Sequence, residues 1–191
     1  MNAKPKELQD KREAYGTVTE AGTIQFERLL PGPIERVWAY LTESEKRGKW
    51  LATGPMELRP GGKFELIWRN AELSPRKEKI PEKYQKYEPE TRLSGHITRC
   101  EPPRLLSHTW ESGDSEVTYE LTARGGSVLL VLTHRRIASR KDMLSFGPGW
   151  HTHLAILEDQ LYGRTPRPFW SDFNRWEAEY EKRIPLETGA G

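Results

Sequence analysis

Residues 147–163, which read Gly-Pro-Gly-Trp-His-Thr-His-Leu-Ala-Ile-Leu-Glu-Asp-Gln-Leu-Tyr-Gly, constrain this chain more than any other stretch. Trp150, Leu154, Leu157 and Leu161 recur at spacings of four, three and four, which places them along one stripe of an α-helix. Pro148 suits the first turn, where its missing N–H has no intrahelical partner, and Gly163 suits the left-handed position after the last turn. Thr152 and Asp159 fall on the opposite face, where water is expected. Nearly everything before this helix reads as short antiparallel strands. A lone amphipathic helix after a run of strands buries its stripe on the concave face of a curled sheet. The expected fold class is therefore α+β, a curved antiparallel sheet wrapped around a long C-terminal helix. Such an arrangement has room for a ligand between sheet and helix.

The strands follow from alternation. Ile24, Phe26, Arg28 and Leu30 share one face of a first strand within residues 17–30, which Pro31-Gly32-Pro33 ends. Ile34, Val37, Trp38 and Leu41 then carry helical spacing from Pro33, and residues 42–49 suit a second short helix closed by Trp50 and Leu51. Residues 56–68 read as a hairpin turning at Arg59-Pro60-Gly61-Gly62, with Phe64, Leu66 and Trp68 on one face. Two further strand pairs are expected, 92–100 with 104–111 and 116–122 with 127–136. The run Val128-Leu129-Leu130-Val131-Leu132 is apolar on both faces, as in a strand covered on both sides.

Two segments do not fit a minimal grip. Residues 70–91 hold five Lys/Arg, five Asp/Glu and three prolines, with Leu73, Ile80, Tyr84 and Tyr87 as the sizeable apolar groups. So long a connection reads as a functional lid or a disordered insert. Phe169, Phe173, Trp176 and Tyr180 repeat the four-three-four spacing, so a further amphipathic helix is expected there. Its aromatic stripe needs a partner, either the back of the sheet or another subunit, which would make a homodimer through these four residues. The expected organisation is a polar tail over 1–15, a grip domain over 16–165 and an extension over 166–191.

Composition narrows the function classes. The net charge of +2 comes from interleaved acids and bases, so a nucleic-acid partner is not expected. Cys100 is the single cysteine, which excludes an internal disulfide and a cysteine-based zinc site. No stretch approaches the roughly 20 apolar residues of a membrane span, and the charged first 15 residues lack a signal-peptide core. A cytoplasmic location is the default expectation. Only 35% of residues are hydrophobic, but seven Trp, seven Tyr and five Phe supply large areas for burial.

Several segments carry a family resemblance. Phe26-Glu27-Arg28 followed by Pro33-Ile34-Glu35-Arg36-Val37-Trp38-Ala39-Tyr40-Leu41-Thr42 looks like an opening strand and helix, and Trp50-Leu51 like the close of a helical pair. Pro60-Gly61-Gly62-Lys63-Phe64, Gly95-His96-Ile97, Glu101-Pro102-Pro103-Arg104-Leu105, Thr109-Trp110 and Gly149-Trp150 follow in order, with Leu154, Leu157-Glu158 and Leu161 behind. Over roughly residues 17–164 the chain resembles the SRPBCC superfamily, of START and birch-pollen-allergen type. Within it the chain is similar to the subfamily named after the activator of the heat-shock chaperone ATPase, or Aha-type. The resemblance implies the helix-grip fold. It also implies a choice among small-molecule carriage, chaperone regulation in a stress response, and polyketide cyclase or dehydratase chemistry. The 70–91 insert and the 169–180 helix depart from the subfamily's pattern.

The candidate ligand-binding residues are those expected to face inward: Trp50, Phe64, Trp68, Leu106, His108, Trp110, Tyr119, Leu130, Leu132, Trp150, Leu154, Leu157 and Leu161. Each could equally fill a solid core. His108, His134 or Tyr119 would be the proton handler of a cyclase, or a satisfied core residue. His151 and His153 lie about 200° apart around a helix and cannot share one metal from it. Glu158 could meet Tyr162 one turn on or serve structurally. Arg28 could reach solvent at a strand end or anchor an anion in the pocket. No nucleophile, base and oxyanion donor assemble in the sequence, no metal or cofactor is expected, and the favoured partner is a small hydrophobic or amphipathic molecule, with a chaperone as the runner-up.

Overall fold

The computed structural model describes residues 14–110 and 114–184, so most of the expected 1–15 tail and the last residues of the extension lie outside it. Its elements run β1 (Thr17–Glu20), β2 (Thr23–Pro31), α1 (Ile34–Thr42), α2 (Ser44–Arg47), β3 (Lys63–Trp68), β4 (Thr91–Glu101), β5 (Leu105–Thr109), β6 (Glu116–Arg124), β7 (Ser127–Arg135), α3 (Arg140–Leu161) and α4 (Phe169–Arg183). The strands form one antiparallel sheet in the order β1-β2-β7-β6-β5-β4-β3. This is the expected α+β helix grip, with α3 as the gripped helix.

The register shows why alternation located the concave face. Phe26, Leu132, Tyr119 and Leu106 face one another across four strands, and Ile24, His134, Val117 and His108 form the next row. All eight are buried. The opposite face is a polar ladder rather than a second core. Ser107 and Thr118 meet at 2.8 Å, and the Gln25 amide donates to Thr133 at 3.2 Å. Leu129 and Val131 are half-buried there, so the doubly covered strand expected from residues 128–132 is corrected to one whose outer side chains are sheltered by their neighbours.

Local boundaries differ in three places. The first strand is two, because Ala21-Gly22 turns the chain before β2. The expected 56–68 hairpin is reduced to single bridges, Met56 to Phe64 and Thr53 to Ile67, and just ahead of it buried Arg47 holds the carbonyls of Thr42, Ala52 and Gly54 at 2.9, 3.1 and 2.5 Å. The long helix starts at Arg140, not at Pro148. Ser139 caps it, accepting from the Asp142 amide at 3.1 Å, while Pro148 sits inside and the Thr152 hydroxyl donates to its carbonyl at 2.9 Å. Gly163 does take the left-handed conformation, with φ +66°.

The larger correction concerns the back of α3. Residues 151–159 are all buried, so Thr152 and Asp159 do not face water. Helix α4 covers them: its stripe docks on α3, neither on the back of the sheet nor on a second subunit. Gly147 shows how tight the layering is, since a Cβ there would lie 3.3 Å from Ile24 of the sheet and 3.3 Å from Tyr180 of α4. His151 stacks on Trp176 at 4.0 Å and meets the Tyr180 hydroxyl at 3.0 Å, and that hydroxyl also accepts from the Gly16 amide at 2.7 Å. Asp159 accepts from Arg167 at 2.9 Å and pairs with Arg164 at 3.1 Å, which fastens the connection into α4.

The 70–91 segment is ordered by the same helix. It carries two 3-10 turns, Asn70–Glu72 and Glu82–Tyr87. Pro168 offers α4 no side-chain cap, and Glu78 supplies one from the insert, accepting from the Trp170 and Ser171 amides at 2.7 and 2.8 Å. Tyr84 stacks on Trp170 at 5.0 Å and donates to Glu177 at 2.5 Å, and Glu88 accepts from the Trp170 indole at 3.1 Å. Lid and terminal helix are thus one structural unit.

On the sheet side, Arg28 pairs with Glu158 at 3.2 Å, with side chains 0% and 3% exposed. The arginine neither reaches solvent nor faces a cavity, and Glu158 serves the core rather than Tyr162. Removing one partner strands the other charge, which costs about 3–5 kcal/mol, whereas removing both is close to neutral. Arg28→Met and Glu158→Met should each destabilise by about that amount in urea titrations, and the double variant should recover most of the loss. Additive losses would show that the two charges do not depend on each other.

Candidate functional site

A cavity of about 610 Å³ opens where the insert, α3 and α4 meet the β3–β4 edge of the sheet. Trp68, Thr91, Arg92 and Leu93 form the sheet wall with Asn70 of the insert beside them, and Trp110 follows the end of β5. Tyr84 and Tyr87 roof it from the insert. Helix α3 contributes Arg140, Lys141, Leu144, Ser145, Phe146, Gly149 and His153, and α4 contributes Phe169, Trp170, Phe173 and Glu177. A smaller space of about 80 Å³ adjoins it, reaching Leu51 and Trp150 between Trp68, Trp110 and His153. The lining is dominated by aromatic rings with a few polar groups among them, the usual character of a small-molecule site.

Of the residues expected to bind a ligand, Trp68 and Trp110 line the main cavity and Trp150 lines the adjoining space. Trp68 and Trp110 meet edge to face at 5.6 Å, and Trp110 lies 5.1 Å from Trp150. The other ten pack between sheet and helix outside either lining. Trp50 is wholly buried and donates its indole N–H to the Tyr40 carbonyl at 2.8 Å. Phe64 and Tyr119 each pack against the His108 ring in tilted contacts, with ring centres 4.7 and 5.8 Å from it. Leu106, Leu130, Leu132, Leu154, Leu157 and Leu161 are at most 2% exposed and interdigitate in the core.

None of the three residues weighed as proton handlers lines the main cavity, although His134 packs behind two that do, Phe146 at 4.8 Å and Trp110 at 5.3 Å. His134 is fixed in a chain: the Trp150 indole donates to its Nδ1 at 3.1 Å, so its proton sits on Nε2, which donates to the Ser115 hydroxyl at 2.7 Å. Burial lowers His134 to about 3 and His108 to about 4, and raises the Tyr119 hydroxyl well above its ordinary value. His153 is the histidine that reaches the cavity. Its Nδ1 donates to the Trp50 carbonyl at 2.7 Å, leaving Nε2 as an acceptor, and burial lowers it to about 4. The sequence drew attention to His153 only with His151, as two residues that cannot share one metal from a single helix. What hid its role was the path of α4, whose Phe169 ring packs on it at 4.8 Å. Among the described residues no cluster of three His, Cys, Asp or Glu is placed to hold a metal ion, and no helix is long and apolar enough to cross a membrane.

Charges at the cavity are unevenly matched. Arg92 pairs with Glu90 at 2.6 Å and Glu65 at 3.1 Å, and Glu177 accepts from Lys83 and Tyr84. Arg140 donates to the Glu181 carbonyl at 3.0 Å. Lys141 is exposed and makes no ion pair among the described residues.

A family model described as Activator of Hsp90 ATPase homolog 1-like protein matches residues 31–161, from the end of β2 to the end of α3. No curated protein matches the chain. The solution structure of the BPP1335 protein of Bordetella parapertussis is similar, with 43% identity, a TM-score of 0.77, and coverage of 93% of this chain and 94% of that one. CalU16 of Micromonospora echinospora shares 24% identity over 90% of this chain and 96% of its own, with a TM-score of 0.63. EF2215 of Enterococcus faecalis shares 19% over 94% and 95%, with a TM-score of 0.64. The last two likenesses concern the fold.

Four histidines, 108, 134, 151 and 153, are buried with values lowered by burial to about 4, 3, 2 and 4. Each takes a proton near pH 6.5 once unfolded. Between pH 6.5 and about 4 the unfolded chain therefore binds more protons than the fold, and stability falls as pH drops through that window, by about 1.4 kcal/mol per pH unit for each histidine. Urea titrations across this range should show unfolding taking up about four protons, with acid unfolding centred near pH 5. Undiminished stability at pH 4 would contradict the neutral, buried assignment.

Proposed function

The chain belongs to the family of Activator of Hsp90 ATPase homolog 1-like proteins, and from that premise we propose that it binds a small hydrophobic or amphipathic molecule. The observation that carries this reading is the 610 Å³ cavity with Trp68, Trp110, Tyr84, Trp170 and Phe173 around it. An aromatic-lined space of that size suits a ligand of drug-like dimensions. The location shifts from the one the sequence pointed to. The stripe of α3 fills its contact with the sheet, and the open volume lies beside it, under a wall that the insert and α4 build together.

Regulation of a chaperone through the surface is the weaker reading. Among the described residues the large hydrophobic side chains more than a third exposed are Leu58, Tyr87 and Tyr162, which lie on separate segments rather than in one docking face. A cyclase working through His108, His134 or Tyr119 would need those groups at the main cavity, whose lining includes none of them.

N-phenyl-1-naphthylamine, a neutral apolar dye, should bind with enhanced emission. Leu144→Trp, which fills the cavity from α3, should weaken that binding at least about tenfold with little change in stability, because it occupies open volume. Leu157→Trp should instead destabilise the fold by about 1–3 kcal/mol, because Leu157 is fully buried in close packing. A wild-type protein that binds no dye, or a Leu144→Trp variant that binds it undiminished, would refute the assignment.

A further inference from the structure

Gly149 lies well inside α3, where glycine weakens a helix relative to alanine. Neither backbone nor packing calls for it. Its conformation is helical, and a Cβ built on it would meet Phe173 of α4 at 3.7 Å, an ordinary contact. Among the described residues, nothing else outside its own stretch of helix comes within 4 Å of that Cβ. Gly147 differs, being pinned at 3.3 Å between sheet and α4. What the missing side chain at Gly149 leaves is an opening in the floor of the cavity.

That opening leads to His153. The two residues are one turn apart on α3, and both border the cavity of about 610 Å³ and the space of about 80 Å³ beside it. Trp68 and Trp110 border both spaces too. The His153 ring is held by the Nδ1–H bond to the Trp50 carbonyl at 2.7 Å, and Nε2 has no hydrogen-bond partner among the described residues. Burial lowers the ring to about 4, so it is uncharged at neutral pH. Apart from exposed Ser145, the rest of the smaller space is walled by apolar and aromatic side chains. A fixed, neutral acceptor behind an aromatic opening discriminates: a ligand with a donor satisfies it, and one without leaves it unpaired.

From this pairing we propose that Gly149 and His153 form a subsite for the leading edge of a neutral aromatic ligand bearing a phenolic hydroxyl. The hydroxyl donates to His153 Nε2, and the ring lies over Gly149 against Trp68 and Trp110. The opening is one missing side chain deep, so the donor sits on the ring itself and not on a flexible arm. The smaller space takes the head of the ligand and leaves its body in the main cavity. An anionic head fits poorly, because its lone pairs would face that of Nε2. The proposal rests on the small-molecule reading above and adds to it a ligand class and the two residues that select it.

2-Naphthol and 2-fluoronaphthalene differ little in size, and only the naphthol donates a hydrogen bond. In calorimetric titrations the wild-type protein should bind the naphthol about fivefold tighter. The nitrogen-15 resonance of His153 Nε2 should move upfield on adding the naphthol and stay in place with the fluoro compound. His153→Phe, checked for folding by near-ultraviolet circular dichroism, should bring the affinity ratio to about one or below. Gly149→Leu fills the opening and should do the same, while binding N-phenyl-1-naphthylamine in the main cavity within about threefold of the wild type. Gly149→Ala should raise the melting temperature by about 2–4 °C and weaken naphthol binding, since the helix is strengthened at the expense of the opening. Equal wild-type affinities, a stationary Nε2 resonance, or a ratio unchanged in folded His153→Phe overturns the subsite, and continued dye binding leaves the cavity reading standing. A folded Gly149→Leu variant that keeps the fivefold ratio overturns the role of Gly149. If the wild type binds neither naphthalene nor dye, this inference and the small-molecule reading fall together. Should the larger substitutions not fold, the wild-type resonance decides.

Discussion

Burial of α3 around its whole circumference, from His151 to Asp159, is the constraint on which the rest of the structure depends. Five of those nine residues are polar, and a buried polar group without a partner is costly. Each therefore reaches a different part of the molecule. Glu158 reaches Arg28 in β2, Asp159 reaches Arg167 ahead of α4, His151 reaches Tyr180 within α4, His153 reaches the Trp50 carbonyl, and Thr152 returns to the carbonyl of Pro148. The leucine stripe explains why α3 lies on the sheet. The polar residues explain why it lies there in one register and why a second helix must cover its other side.

That second helix has consequences at its own ends. Helix α4 begins at prolines and lacks its own cap, so Glu78 caps it from the insert. Trp170 and Tyr84 stack, Glu177 holds Tyr84 and Lys83, and a segment rich in charge and proline becomes a wall. The wall stands off from the sheet edge at Trp68 and Leu93, and the space between is the cavity. The 70–91 insert and the 169–180 helix, which the sequence sets apart from a minimal grip, are therefore one feature, and together they help enclose the space that carries the functional reading.

The parts of the fold with simple periodicity were legible in the sequence. Alternation placed Phe26, Tyr119 and Leu132 on the concave face, and the four-three-four spacing identified both long helices. What the sequence did not disclose was which surface each polar residue faces. Thr152 and Asp159 look solvated on a helical wheel because the wheel shows one partner, and α3 has two. The start of α3 was misplaced because proline and glycine around residue 148 resemble a helix beginning, whereas Ser139 and Asp142 supply the actual cap. The site was half legible: Trp68 and Trp110 sit at strand ends where the inward face opens, but Tyr84, Trp170 and His153 come together only through the docking of insert and terminal helix. No periodicity within one segment encodes that contact.

The functional reading depends on open volume under the joint wall of insert and α4, with the sheet side of α3 filled. Intermolecular nuclear Overhauser effects from a bound apolar dye test it most directly, because they name the side chains that touch the ligand. Contacts to Trp68, Tyr84, Trp110 and Trp170 are expected, and none to Leu130, Leu132 or Leu157. Contacts to those three leucines, with the tyrosine and tryptophan of the wall silent, would place the ligand between sheet and helix and contradict it.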